Sequence, residues 1–333
     1  MQPVNVALAG FGWWGRKMTD LIRARSQALR LVAVADPETS AARDALAGTG
    51  IGVHSDLSEV LGPDIDAVIL ATPHSLHERQ IAACVAAGKH VFCEKPLALT
   101  RAGAVASVQL CRDAGLVLGM GHERRFEPPI AAILAVAKSG ALGTLLQIEA
   151  NFSHDKFLSL DASNWRLHTD QAPAGGMTAT GIHLTDLAVL LLGPAESVLA
   201  TSKNLVSQLP SGDTMSAYIR FRAGATAYVS ATLATPFVSR FAVFGSKGWV
   251  DVRDRAHVES PDGWIVTTGS AGAPIRIEEV GKAEPVLANL EAFARAVRGE
   301  APYPITGEQM IDNISLLESI VTSCRTGALE AVA

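Results

Sequence analysis

Five short, almost unbroken apolar runs punctuate the first third of the chain, at 4–9, 31–35, 66–71, 90–93 and 116–120. Runs of that length bounded by turn residues read as strands buried on both faces. Between them apolar residues recur at helical spacing: Met18, Leu21 and Ile22 first, then the stretches 39–47, 77–87 and 102–114. Gly48, Gly88 and Gly115 stop the last three, and 56–61 adds a helical turn. Strands alternating with helices predict a parallel, doubly wound sheet. From about residue 140 the period changes. The stretches 145–152, 197–206, 214–222, 226–233, 240–244 and 249–252 alternate apolar and polar, with turns such as Ala223-Gly224 and Lys247-Gly248 between them. That pattern predicts an antiparallel sheet with one wetter face. A helix at 178–192 interrupts it, and helices at 286–298 and 308–324 close the chain. The expected class is α/β, with a parallel sheet first, a mostly antiparallel one second, and a boundary near 122.

Composition narrows the function. The 333 residues suit two domains, and 48% hydrophobic residues supply sizeable cores. A net charge of −5 without a basic block argues against nucleic acid and anionic membrane as partners. Cys84, Cys93, Cys111 and Cys324 are scattered and form no C-x-x-C, which fits free thiols in a reducing compartment and no metal site. The first strand begins almost at Met1, leaving no room for a signal peptide, and the longest apolar runs, such as 187–192, fall far short of a membrane span. A soluble cytoplasmic protein is expected.

The chemistry lies at the ends of the predicted strands. The first runs into Gly10-Phe11-Gly12-Trp13-Trp14-Gly15, a G-x-G-x-x-G turn opening a helix. Gly10 permits the tight turn, Gly12 lets backbone approach a pyrophosphate, and Gly15 lets helix pack on strand. The helix N-terminus adds free N–H groups and a positive dipole for phosphate. The second strand ends at Asp36, about 20 residues beyond, where a ribose 2′-OH is read. Asp36 would repel a 2′-phosphate, which favours NAD over NADP while leaving NADP possible. Thr72-Pro73-His74, Glu94-Lys95-Pro96 and 122–125 close the other strands, on the side where such sheets bind ligands. A second stretch, Gly175-Gly176 running to His183 and Asp186, places two glycines ahead of a helix so that its start can approach a ligand closely. His183 and Asp186 are three apart on one face, so Asp186 can hold one ring nitrogen and leave the other for a substrate hydroxyl.

With Glu94-Lys95-Pro96, the chain resembles the glucose–fructose oxidoreductase / inositol dehydrogenase (Gfo/Idh/MocA) family over nearly its whole length. The markers are Gly10–Gly15, 66–73, His77, 88–96, Arg125-Phe126 with Pro128, Trp165-Arg166, and Gly175-Gly176 leading to Gly181, His183 and Asp186. The resemblance implies a Rossmann domain, 1–122, and a substrate-binding and oligomerisation α/β domain with a large, mostly antiparallel sheet, 123–333. It implies hydride transfer between nicotinamide and a secondary hydroxyl or ketone of a sugar, cyclitol or related polyol, in a homodimer or homotetramer. Lys95 and His183 are then the acid/base pair. Phe11, Trp13, Trp14, Thr72, Pro73, His74, His77, Glu94 and Arg166 join the three glycines and Asp36 as cofactor-binding residues. Arg125, His154, Trp165 and Asp186 are substrate-side candidates, and Lys156 stands near them. Arg124, by contrast, reads as a solvated charge. One departure stands out: many members carry Asp four residues before the catalytic His, and this chain has Ala179. That keeps open a non-catalytic dinucleotide or metabolite sensor; an NAD-retaining glycoside hydrolase of the same fold is a separate alternative.

Overall fold

The computed structural model describes residues 2–207 and 209–333. The chain divides into two compact units, 1–123 with 286–311, and 124–285 with 312–333. In the first unit β1 (Val4–Ala9), α1 (Trp13–Arg25), β2 (Leu29–Ala35), α2 (Thr39–Ala45), β3 (Gly52–His54), β4 (Ala67–Leu70), α3 (His77–Ala86), β5 (His90–Cys93), α4 (Arg101–Asp113) and β6 (Leu118–Met120) alternate. The six strands lie parallel in the order β3-β2-β1-β4-β5-β6. Val6, Leu8, Val34, Val68, Ile69 and Leu70 are fully buried, as double-sided cover requires. The order reverses between β1 and β4, where such sheets gather their ligand loops. β3 was not expected: it is a three-residue, half-buried edge strand.

The second unit opens with α5 (Pro128–Lys138) and β7 (Leu145–Ser153), followed by α6 (Ile182–Leu192), β8 (Ala195–Lys203), β9 (Thr214–Phe221), β10 (Thr226–Thr232), β11 (Val238–Gly245), β12 (Gly248–Asp254), β13 (Trp264–Ser270) and β14 (Arg276–Val280). After α7 (Pro285–Val297) and α8 (Gly307–Thr326), β15 (Glu330–Ala331) completes a nine-stranded sheet. Its order is β14-β13-β12-β11-β7-β10-β9-β8-β15, antiparallel throughout except for the β7–β10 pair. α6 is apolar almost all round, and it covers one face at β7 and β10. The other face is open and carries the cross-strand pair Tyr218–Tyr228 with Leu199, which is 44% exposed.

The expected extent 123–333 for the second domain differs from the observed grouping, in which 286–311 packs with the parallel sheet. Phe293 of α7 meets Phe92 of β5 edge-on at 5.6 Å. Asn289 donates to the Met120 carbonyl at 2.9 Å and accepts from the Tyr303 hydroxyl at 2.6 Å. The later part of α8 is tied to the second unit, where Asn313 accepts from Thr185 at 2.7 Å and Ser323 accepts from the Ala200 N–H at 2.8 Å. Among the described residues no helix is long and apolar enough to cross a membrane.

Candidate active site

In the opening turn the three glycines have three different surroundings. Gly10 has φ +93°, and a Cβ there would sit 2.6 Å from the Ala71 carbonyl oxygen. At Gly15 a Cβ would stand 2.0 Å from the Gly10 carbonyl oxygen, so this glycine is required by the packing of α1 on the turn. Gly12 is the N-cap of α1, takes no side-chain cap among the described residues, and faces open space within 4 Å. Asp36 reaches the same turn. Its Oδ2 accepts from the Phe11 N–H at 2.6 Å and its Oδ1 from the Glu38 N–H at 2.8 Å. A carboxylate has about four acceptor positions, so capacity for a ribose diol remains. The uncapped helix start, the space at Gly12 and the carboxylate together fit a dinucleotide. Phe11 is buried under Arg16, whereas Trp13 is 44% exposed and Trp14 half-buried in the first turn of α1.

These surroundings separate stability from binding. Gly15→Ala must displace backbone and should cost at least about 1–3 kcal/mol, the overpacking range. Gly12→Ala should leave the melting temperature unchanged and weaken NAD binding, since its methyl enters the space left for phosphate. Thermal melts with NAD titrations check both. Equal destabilisation by the two substitutions would contradict this division of roles.

The loops after β4 and β5 are tied together by His77. Its ring is fully buried, with Nδ1 2.8 Å from the Pro96 carbonyl and Nε2 3.1 Å from the Thr72 carbonyl. Burial lowers its pKa, against the opposing pull of the carbonyls. His77 was expected to touch cofactor. Both ring nitrogens face backbone carbonyls, and these contacts tie Thr72 to the Lys95-Pro96 loop. His74 lies beside it, its ring 5.8 Å away, and the Thr72 hydroxyl donates to Gln80. The Lys95–Pro96 peptide is cis, and the Lys95 side chain is half-buried. Glu94 is buried against Gly121, where a Cβ would lie 2.5 Å from Oε2, and the same oxygen accepts from the Lys95 N–H at 3.3 Å.

In the second unit the helix of His183 begins abnormally. Met177–Gly181 form a π-helical turn where an ordinary helix was expected, and π turns recur at functional sites. Ala174 and Gly175 precede it at φ 54° and 41°. The paired glycines were expected to let the helix approach ligand. Packing also requires them: a Cβ at Gly175 would lie 2.2 Å from the Gly212 carbonyl oxygen, and one at Gly176 2.6 Å from that of Ala231. His183 is 4% exposed and Asp186 1%. Asp186 was expected to anchor His183. Both its oxygens accept from Arg125, from Nε and Nη2, each at 2.7 Å. Arg125, expected near substrate, is thereby tied to α6 and buried. Arg124 is not a solvated charge either. It is 2% exposed and meets Asp254 at 2.8 Å, Ser239 at 2.8 Å and Glu127 at 3.1 Å.

The remaining candidates gather on the same unit. Arg166 stacks over Trp165 with its guanidinium carbon 4.3 Å from the ring centroid. Ala179 packs against an apolar cluster that includes Phe157, Leu167 and Leu233. His154 is buried, 5.3 Å from the Phe157 ring and 5.6 Å from that of His257. Lys156 pairs with Glu259 and donates to His257 Nδ1 at 3.0 Å. His257 and Glu259 carry no motif, and only pairing with residues about a hundred positions away reveals them. The cysteines are free and chemically quiet: burial pushes Cys84 up to about 12 and Cys111 and Cys324 up to about 11.

The profile of the oxidoreductase family with an NAD-binding Rossmann fold matches residues 4–122, and that of the GFO/IDH/MocA C-terminal domain matches 130–251. The chain belongs to the Gfo/Idh/MocA oxidoreductase family. It is 30% identical over 297 residues, 87% of each chain, to the 1,5-anhydro-D-fructose reductase of Ensifer adhaerens. To the D-xylose 1-dehydrogenase (NADP(+)) 2 of Haloferax volcanii it is 28% identical over 265 residues, 79% of each chain. In structure it is similar to the aldose-aldose oxidoreductase of Caulobacter crescentus complexed with glycerol, with TM-score 0.88, 24% identity and 99% of each chain covered. This Gfo/Idh/MocA member is an NAD(P)-dependent oxidoreductase, and its first unit is the NAD-binding Rossmann domain.

Proposed function

We propose that this oxidoreductase acts on a secondary hydroxyl or ketone of a sugar, cyclitol or related polyol, with Lys95 and His183 as the acid/base pair. The carrying observation is the opening turn, where the space at Gly12 and the tethered Asp36 suit a dinucleotide. Bound NAD+ supplies the hydride acceptor. The work left to the chain is on the oxygen: the Lys95 ammonium polarises it, and the hydroxyl proton passes to the neutral His183 imidazole as the C–H bond breaks and the hydride leaves. Glu94 orients Lys95, His77 sets the loop, and Arg125 with Asp186 steadies the helix of His183. Asp36 favours NAD(H) through its charge. Names among the relatives, a reductase of an anhydro sugar and a xylose dehydrogenase, support the carbohydrate class.

The test is the purified protein with NAD+ or NADP+ and D-xylose, D-glucose, myo-inositol or 1,5-anhydro-D-glucitol. Reduced nicotinamide absorbance should rise with at least one polyol, more with NAD+ than with NADP+. Tight NAD binding with no turnover on an extended panel would overturn the catalytic reading in favour of a sensor, the alternative that Ala179 favours by withholding a carboxylate. The open face of the nine-stranded sheet, with Leu199 and the tyrosine pair, supports self-association into a homodimer or homotetramer.

A further inference from the structure

Three imidazoles surround one phenyl ring in the second unit. The centroid of Phe152 lies 6.3 Å from those of His154 and His183 and 5.6 Å from that of His257. His154 and His257 meet edge to face at 5.6 Å. His183 comes from α6, His154 follows β7, and His257 follows β12. The proposed mechanism uses only the first of these.

The surroundings of His257 fix the position of its proton. Lys156 Nζ donates to Nδ1 at 3.0 Å, and the Glu259 N–H approaches the same atom at 3.3 Å. An ammonium and an amide N–H are donors only, so Nδ1 accepts and the ring proton sits on Nε2. The Glu259 carboxylate accepts from the same ammonium and so keeps Lys156 against the ring. The segment is also braced from behind. Asp254, three residues earlier, accepts from the buried Arg124, and the Arg124 guanidinium lies 5.3 Å above the Phe152 ring. The His257 side chain is 14% exposed. A ring locked in one tautomer, on a braced segment, beside the His154 imidazole and sharing the Phe152 ring with His183, has the construction of a ligand-reading donor.

We infer that His257 is a further substrate-binding residue, donating from Nε2–H to an oxygen of the polyol on which His183 acts, with Lys156 and Glu259 as its positioning residues. The inference rests on the polyol reading above. It gives the site a donor beside His154 and Phe152, in a unit where Ala179 brings no carboxylate.

The experiment uses the full chain with NAD+ and whichever panel polyol turns over fastest. His257→Phe keeps a ring and removes the donor. It should raise KM by about tenfold, the loss of one hydrogen bond, with kcat within about threefold. Lys156→Met should raise KM part of the way, and Lys156→Arg should restore it. Histidine side-chain 15N spectra of the unliganded protein should show His257 as the Nε2–H tautomer, and a tautomer mixture in Lys156→Met. An unchanged KM in His257→Phe, a loss confined to kcat, or an Nδ1-protonated ring overturns the inference while wild-type turnover leaves the polyol reading standing. If the wild type turns over no polyol, both fall.

Discussion

Replacing Lys95 with methionine should lower turnover by about 10²–10⁴-fold, the range for removal of a general acid or base, with NAD affinity changed only a few-fold. Methionine keeps most of the stem and removes the ammonium alone, so the loss reads on charge and proton handling rather than on packing. The backbone around it argues for a clean result. The Lys95 N–H is held by Glu94, and the carbonyl of the next residue, Pro96, by the buried His77. Neither contact uses the Lys95 side chain, so the loop should keep its course in the variant. His183→Ala should cost a similar factor, and the double variant much less than the product, because groups acting on one proton are non-additive. Steady-state rates with fluorescence titration of NAD+ decide the matter. Turnover within threefold of wild type in Lys95→Met would remove Lys95 from the mechanism.

The parallel sheet was legible because burial on both faces writes itself as continuous apolar sequence. Val4–Ala9 and His90–Cys93 begin and end where the runs do. Strands without that signature were lost. β3 has three residues, and β14, Arg-Ile-Glu-Glu-Val, is an exposed edge with charges at three of its five positions. The return of α7 to the first unit could not be read either, since the contact of Phe293 with Phe92 joins residues some two hundred positions apart. At the site, motif spacing located the glycine turn and Asp36, whose carboxylate reaches that turn. It misjudged Arg124, which reads as solvated and is buried. Asp186 sits three residues after His183, which suggested a local pair; the spacing gave no sign of Arg125, which tertiary packing brings to both of its oxygens. Local spacing says which side chains share a face; it does not say which distant partner wins the hydrogen bonds.

That pair makes the second large prediction. Asp186→Ala leaves the Arg125 guanidinium buried without its carboxylate, which should destabilise the protein by about 3–5 kcal/mol. Asp186→Asn keeps the shape, loses the charge, and should fall between. Arg125 contacts Asp186 through two parallel N–H···O bonds with both side chains almost fully buried, so water cannot replace the lost partner. The same physics predicts recovery in the double variant. Arg125→Met with Asp186→Leu removes both charges together, so the desolvation cost that the ion pair offsets disappears with it. The double variant should be more stable than either single one, by a coupling of about 0.5–3 kcal/mol in a urea-unfolding cycle. Its turnover should nonetheless stay low, because the pair fixes α6, the helix that carries His183. Additive single effects in that cycle, or an Asp186→Ala variant within about 0.5 kcal/mol of wild type, would mean that α6 is held by its apolar packing alone.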